Sequence, residues 1–82
     1  MERRDAPRHH MIKRAEILSA SGLLHGVVLD LSATGTRIYL ASPVPLPDAV
    51  VLRLPDGVTY VARCRWQQDA KVGFEFAATV AA

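Results

Sequence analysis

The chain has 82 residues, 50% of them hydrophobic and 22% charged, which is the composition of one folded domain and leaves no room for a second core. Its formal charge of +2 says little about partners by itself, and its longest apolar runs fall far short of the roughly 20 residues that a membrane-spanning helix needs. The one cysteine, Cys64, cannot staple the fold, so the core must suffice without a disulfide.

Residues 1–10 read as an N-terminal arm. Arg3, Arg4, Arg8, Lys13 and Arg14 make up half of all basic residues, and only Glu2 and Asp5 oppose them in that stretch. Such a run is either a solvated chain end or an arm that meets phosphate. Pro7 keeps Ala6 out of the α region, so Arg4 and Arg8 sit on an extended or turning segment and not on one helix face. The polar start has no apolar stretch of secretory type, and the expectation is a soluble, cytoplasmic protein.

Met11–Ser19 alternates imperfectly and predicts a first strand, ended by the Ser21-Gly22 turn. His25–Ser32 predicts a second strand and Thr36–Ala41 a third, joined through a tight turn at Ala33–Gly35 in which Gly35 supplies a positive φ. That alternation sends Val27, Leu29 and Leu31 into the core and brings Asp30 and Ser32 out together on the outer surface. Pro43, Pro45 and Pro47 predict a stiff extended connection that no central strand could contain. Ala49–Leu54 alternates cleanly, with Val50, Leu52 and Leu54 on one face. Pro55-Asp56-Gly57 is a turn signal. Val58–Gln67 and Val72–Phe76 complete the set on either side of a polar turn, with Cys64 as a small core residue between the outward Arg63 and Arg65.

Six short strands and no helix make an all-β chain, and a small six-stranded antiparallel β-barrel is the economical way to remove strand edges. The expected organisation is a mobile arginine-rich arm (1–10), a barrel (11–77) and a short C-terminal tail (78–82). The expected state is a monomer or a weak homodimer.

Two patterns carry chemistry. In Arg4-Asp-Ala-Pro-Arg8, the planar forks match phosphate oxygens and the N7/O6 edge of guanine. In Asp30-Leu-Ser32-Ala-Thr-Gly35, the carboxylate complements the N–H edge of guanine and the glycine admits a ligand close to the backbone. The same residue types also serve ordinary hairpin turns. Taken together, in this order and on an all-β chain of this length, the patterns resemble the PilZ domain, the bacterial receptor module for cyclic di-GMP. The resemblance covers nearly the whole chain, including Cys64-Arg-Trp66 and Gly73-Phe-Glu-Phe76.

The resemblance implies a six-stranded barrel that binds cyclic di-GMP on its outer surface. Arg4 and Arg8 would be the clamp, Asp30 and Ser32 the polar base contacts, and Gly35 the close-approach turn. Arg3 is either a further phosphate contact, suited to two stacked ligands, or a spare solvated arginine. Trp66 could stack on a guanine, but simple alternation groups it with Tyr60, Ala62 and Cys64 as a partly buried core residue. The C-terminal helix common in the family is expected to be short or missing.

The function expected is that of a cyclic di-GMP receptor or adaptor. It would change its surface on binding and so regulate a partner protein in motility, exopolysaccharide production or related signalling. The alternative is a PilZ-like interaction module that ignores the nucleotide. A nucleic-acid-binding barrel would need aromatic platforms between basic residues, whereas Tyr39, Tyr60, Phe74 and Phe76 mostly read as core. Catalysis is not expected, because His9, His10 and His25 have no nucleophile partner and Asp30 has no second carboxylate opposite it. No metal site, cofactor or membrane insertion is expected.

Overall fold

The computed structural model describes residues 13–20 and 22–80. The arm with Arg3, Arg4, Arg8, His9 and His10 lies outside the described residues, as do Met11 and Ile12 of the first predicted strand. Six strands follow one another: β1 (Arg14–Ser19), β2 (Gly22–Leu31), β3 (Gly35–Leu40), β4 (Ala49–Arg53), β5 (Thr59–Gln68) and β6 (Lys71–Thr79). All neighbours are antiparallel and the sheet closes on itself in the order β1-β2-β3-β6-β5-β4, with β4 returning to β1 through Ile17 opposite Leu52. Closure removes every sheet edge. The described residues include no helix.

Alternation explains most of this barrel. Ile17, Ile38, Leu40, Leu52 and Val72 are fully buried, and Ala15, Val50, Leu54, Ala62, Ala70 and Phe74 complete the buried apolar core. Tyr60 and Phe76 extend it as a stacked pair, ring centroids 4.0 Å apart and planes 13° from parallel. The proline-rich connection between β3 and β4 has no regular structure. The Gln67 amide pins it: Nε2 donates to Val44 O at 2.6 Å and Oε1 accepts from Leu46 N at 3.1 Å. In the β4–β5 turn Gly57 takes a φ of 85°, the conformation that a side chain disfavours. The β5–β6 hairpin turns on Asp69 at φ 56°, a short polar residue of the kind that tolerates the left-handed region.

Three expectations need correction. β6 runs on to Thr79, three residues past the predicted end at Phe76. In β2 the inward residues are Leu24, Gly26 and Val28, while Val27 pairs with the exposed Tyr39. Leu29 and Leu31, assigned to the core by alternation, are 45% and 49% exposed. The phase of the strand is displaced by one residue from the expected one, and a β-bulge between Val28 and Asp30 then shifts the register again. Leu29 is the extra residue of the bulge, and Leu31 faces the same side as buried Thr36 but at the strand end, where the barrel opens. Finally, Gly35 does not have a positive φ; among the described glycines only Gly22 and Gly57 do.

The core is small, so one truncation at its centre is felt in full. Leu52→Ala is expected to cost about 3 kcal/mol in urea denaturation at unchanged m-value. A loss under about 1 kcal/mol would mean that Leu52 is not a central core residue.

Candidate ligand-binding site

The Ser32–Gly35 turn joins β2 to β3 and is held by its own serine. The Ser32 hydroxyl oxygen accepts from Gly35 N at 3.2 Å and Thr34 N at 3.3 Å, while Ser32 N donates to Gly35 O at 2.9 Å. Ser32 is thus first a turn builder, as side chains of this type often are. Gly35 meets β6 in register with Glu75, and a Cβ there would overlap the Phe74 carbonyl oxygen. A backbone atom cannot give way, so Gly35 is required by close approach and not by φ. Phe76 N donates to Thr34 O at 2.8 Å and fastens the turn to β6.

The β2 bulge sets the direction of Asp30. Without the extra residue Asp30 would pair with buried Thr36; with it, Asp30 pairs with the exposed Arg37 and its side chain stands on the outer surface. Thr36 still uses the Asp30 backbone, its hydroxyl donating to Asp30 O at 2.7 Å. Arg37 Nε donates to Asp30 Oδ2 at 2.7 Å and Arg37 Nη2 is paired with the same oxygen. The hydrogen bond from Arg37 holds the Asp30 carboxyl below its ordinary range, and the same contact raises Arg37. Both of these guanidinium contacts fall on the Asp30 Oδ2 atom.

A second bulge, between Cys64 and Trp66 in β5, does the same for Trp66. Continued alternation would set Trp66 opposite the buried Val72; the bulge sets it opposite Gly73, on the outer face, 43% exposed. The grouping of Trp66 with the core is therefore overturned. Cys64 stays half-buried against the core beside Phe74. Burial, with Asp48 adding to it, pushes its thiol up, away from the reactive thiolate.

One shallow, open cleft collects these groups. Asp30, Ser32, Gly35, Arg37, Arg65, Trp66, Gly73 and Glu75 all line it. The sequence-predicted Asp30, Ser32, Gly35 and Trp66 thus come together, whereas Arg3, Arg4 and Arg8 lie outside the described residues. Sequence reasoning missed Arg37, Arg65, Gly73 and Glu75. Arg37 was within reach of it, since a tight turn between Asp30 and Arg37 puts the two across the hairpin. Arg65 pairs with Glu75 at 3.4 Å, so the cleft holds two carboxylates and two guanidinium groups and no net charge. No group of His, Cys, Asp and Glu suited to a metal ion occurs among the described residues.

The Asp30–Arg37 contact has a readable pH signature. A lowered carboxyl pKa in the folded state stabilises above the unfolded value, and that contribution disappears as pH falls through the folded value. Arg37→Met should therefore move the Asp30 carboxyl titration upward toward ordinary carboxylates, followed by carbon-detected NMR. Wild type and variant should converge in stability at pH low enough to protonate Asp30 in both. An unmoved Asp30 titration would show that the pair does not persist in solution.

The family model for the PilZ domain matches residues 2–81, essentially the whole chain. No curated protein and no solved structure is matched. PilZ is a family of binding and adaptor modules and not of catalysts, and membership implies a cyclic di-GMP-binding module of bacterial signalling. With an all-β barrel closed by six strands and both motifs in place, the chain belongs to the PilZ domain family.

Proposed function

We propose that this protein is a cytoplasmic cyclic di-GMP receptor whose arm closes over the outer cleft of the barrel and alters the surface offered to a partner protein. The observation that carries this reading is the convergence of Asp30, Gly35, Arg37 and Trp66 on one cleft in a chain of this family. A guanine base would find there an aromatic surface, a carboxylate to accept from its N–H edge and a guanidinium nearby.

The phosphates need a different source of charge. Both arginines of the cleft already face carboxylates, so the cleft lining offers no surplus cation for a dianionic ligand. Arg4 and Arg8 would supply it, with Arg3 as a third. The chain enters the barrel beside the cleft: Lys13 O accepts from Val28 N at 2.7 Å, two residues before Asp30. Arg8 stands five residues upstream of Lys13, a reach of at most about 17 Å. Pairing of such an arm with a ligand would be a switch driven by local charge.

One observation favours the second reading, an interaction module indifferent to the nucleotide: Asp30 already has a partner in Arg37. A ligand must share that carboxylate or displace the guanidinium.

Calorimetric titration separates the two. Wild type is expected to bind cyclic di-GMP at micromolar or tighter Kd, about −8 kcal/mol, with no response to GTP. Arg8→Ala and Asp30→Ala should each weaken binding at least tenfold. An absence of heat together with no thermal shift at saturating cyclic di-GMP would leave the interaction module as the correct reading.

A further inference from the structure

Gly73 lies in the interior of β6, where a glycine weakens a strand unless something else requires it. Its φ is not positive, so the backbone there would accept any residue. What a side chain would meet is Trp66. A Cβ on Gly73 would overlap Nε1 and Cε2 of the indole and lie 2.8 Å from Cζ2. These three atoms run along one edge of the ring, which therefore rests on the Gly73 backbone. Pairing registers show why this matters: Asp30 stands opposite Arg37, Arg37 opposite Gly73, and Gly73 opposite Trp66. Across four strands the row reads carboxylate, guanidinium, gap, indole. The gap is one strand wide, about 4.8 Å, and the indole lies in it.

We propose that Gly73 is a positioning residue for ligand recognition. By leaving the gap empty, it seats the Trp66 indole against the sheet and fixes the aromatic platform on which a guanine base stacks. The inference rests on the receptor reading above and assigns the base-stacking role within it. An aromatic ring lying over a strand glycine is a recognised way of holding both in place. A pre-seated ring loses little freedom when the base arrives, which raises affinity without adding a contact. With Ala at position 73 the indole must lift off the sheet, toward the space that the base would fill.

Trp66 is the one tryptophan of the chain, so its emission reports the seat directly. Wild type, Gly73→Ala, Trp66→Ala and the double variant are titrated calorimetrically with cyclic di-GMP, alongside tryptophan emission and thermal unfolding. Gly73→Ala is expected to shift the emission of the free protein and to weaken binding about tenfold, within the range of one lost base stack. In the Trp66→Ala background the same substitution should change neither affinity nor Tm. Binding within twofold of wild type with unaltered emission overturns the proposal, as does an equal loss in the Trp66→Ala background. Should Gly73→Ala fail to fold, the double variant decides: folding with the affinity of Trp66→Ala supports the seat, and failure to fold overturns it. No heat from wild type overturns the receptor reading and the platform together. The emission and Tm cycle then still reads whether Gly73 seats the indole.

Discussion

Side chains on a strand alternate between faces with a period of two, so a strand that lines a core can redirect one residue only by breaking that period. Of three register shifts among the described strands, two do so beside the cleft, at Leu29 in β2 and at Arg65 in β5. Each moves a side chain from an inward register to an outward one: Asp30 from opposite Thr36 to opposite Arg37, Trp66 from opposite Val72 to opposite Gly73. Bulges near functional sites commonly re-aim a side chain in this way. Here both re-aimed groups arrive on the same outer face, and the cleft exists because of them. Without the bulges a carboxylate and an indole would compete for space with Thr36 and Val72, inside a core that has neither room nor hydrogen bonds for them.

The strands and their order along the chain were legible because turn chemistry and proline punctuate this sequence clearly. The phase of β4 was legible too: Val50, Leu52 and Leu54, read as sharing one face, are all buried. The bulges were not legible, because a bulge is a property of two paired strands and leaves no periodic signal in one. For Trp66 the cost was a wrong face. For Asp30 two errors cancelled, since a phase displaced by one residue and an unseen bulge together returned the correct outer face. Gly35 was rightly singled out for the wrong reason: its need is the Phe74 carbonyl on β6, a long-range contact that local turn rules do not contain. Gly73 was noticed only within Gly73-Phe-Glu-Phe76; its need, the Trp66 indole on β5, is a cross-strand contact that no local rule contains.

The electrostatics of the cleft divide the work between barrel and arm. Asp30 with Arg37 and Arg65 with Glu75 form exposed pairs that neutralise each other. Exposed pairs of this kind contribute little to stability, but they orient their members. Arg37 holds the Asp30 carboxylate through Oδ2, and a cleft whose charges cancel offers no excess of cations for phosphate. The excess of positive charge lies instead in the first fourteen residues, where Arg3, Arg4, Arg8, Lys13 and Arg14 outnumber Glu2 and Asp5. A preorganised, neutral base reader joined to a separate cationic clamp would let the nucleotide be recognised on the barrel while its charge drives closure of the arm.

β6 ties these parts to the stability of the whole. It pairs with β3 on one side and β5 on the other, and both close approaches of the cleft are made on it, Gly35 against Phe74 and Trp66 against Gly73. A ligand that grips the β2–β3 turn and the indole therefore spans the strands on both sides of β6, and can do so only while they are paired. A site assembled in this way does not exist in the unfolded chain, so binding adds to folding stability by mass action, about 2.7 kcal/mol when free ligand is a hundredfold above Kd. In a barrel with so small a core that is a sizeable fraction of the total. On the receptor reading, substitutions along β6 would therefore act on recognition and on folding together.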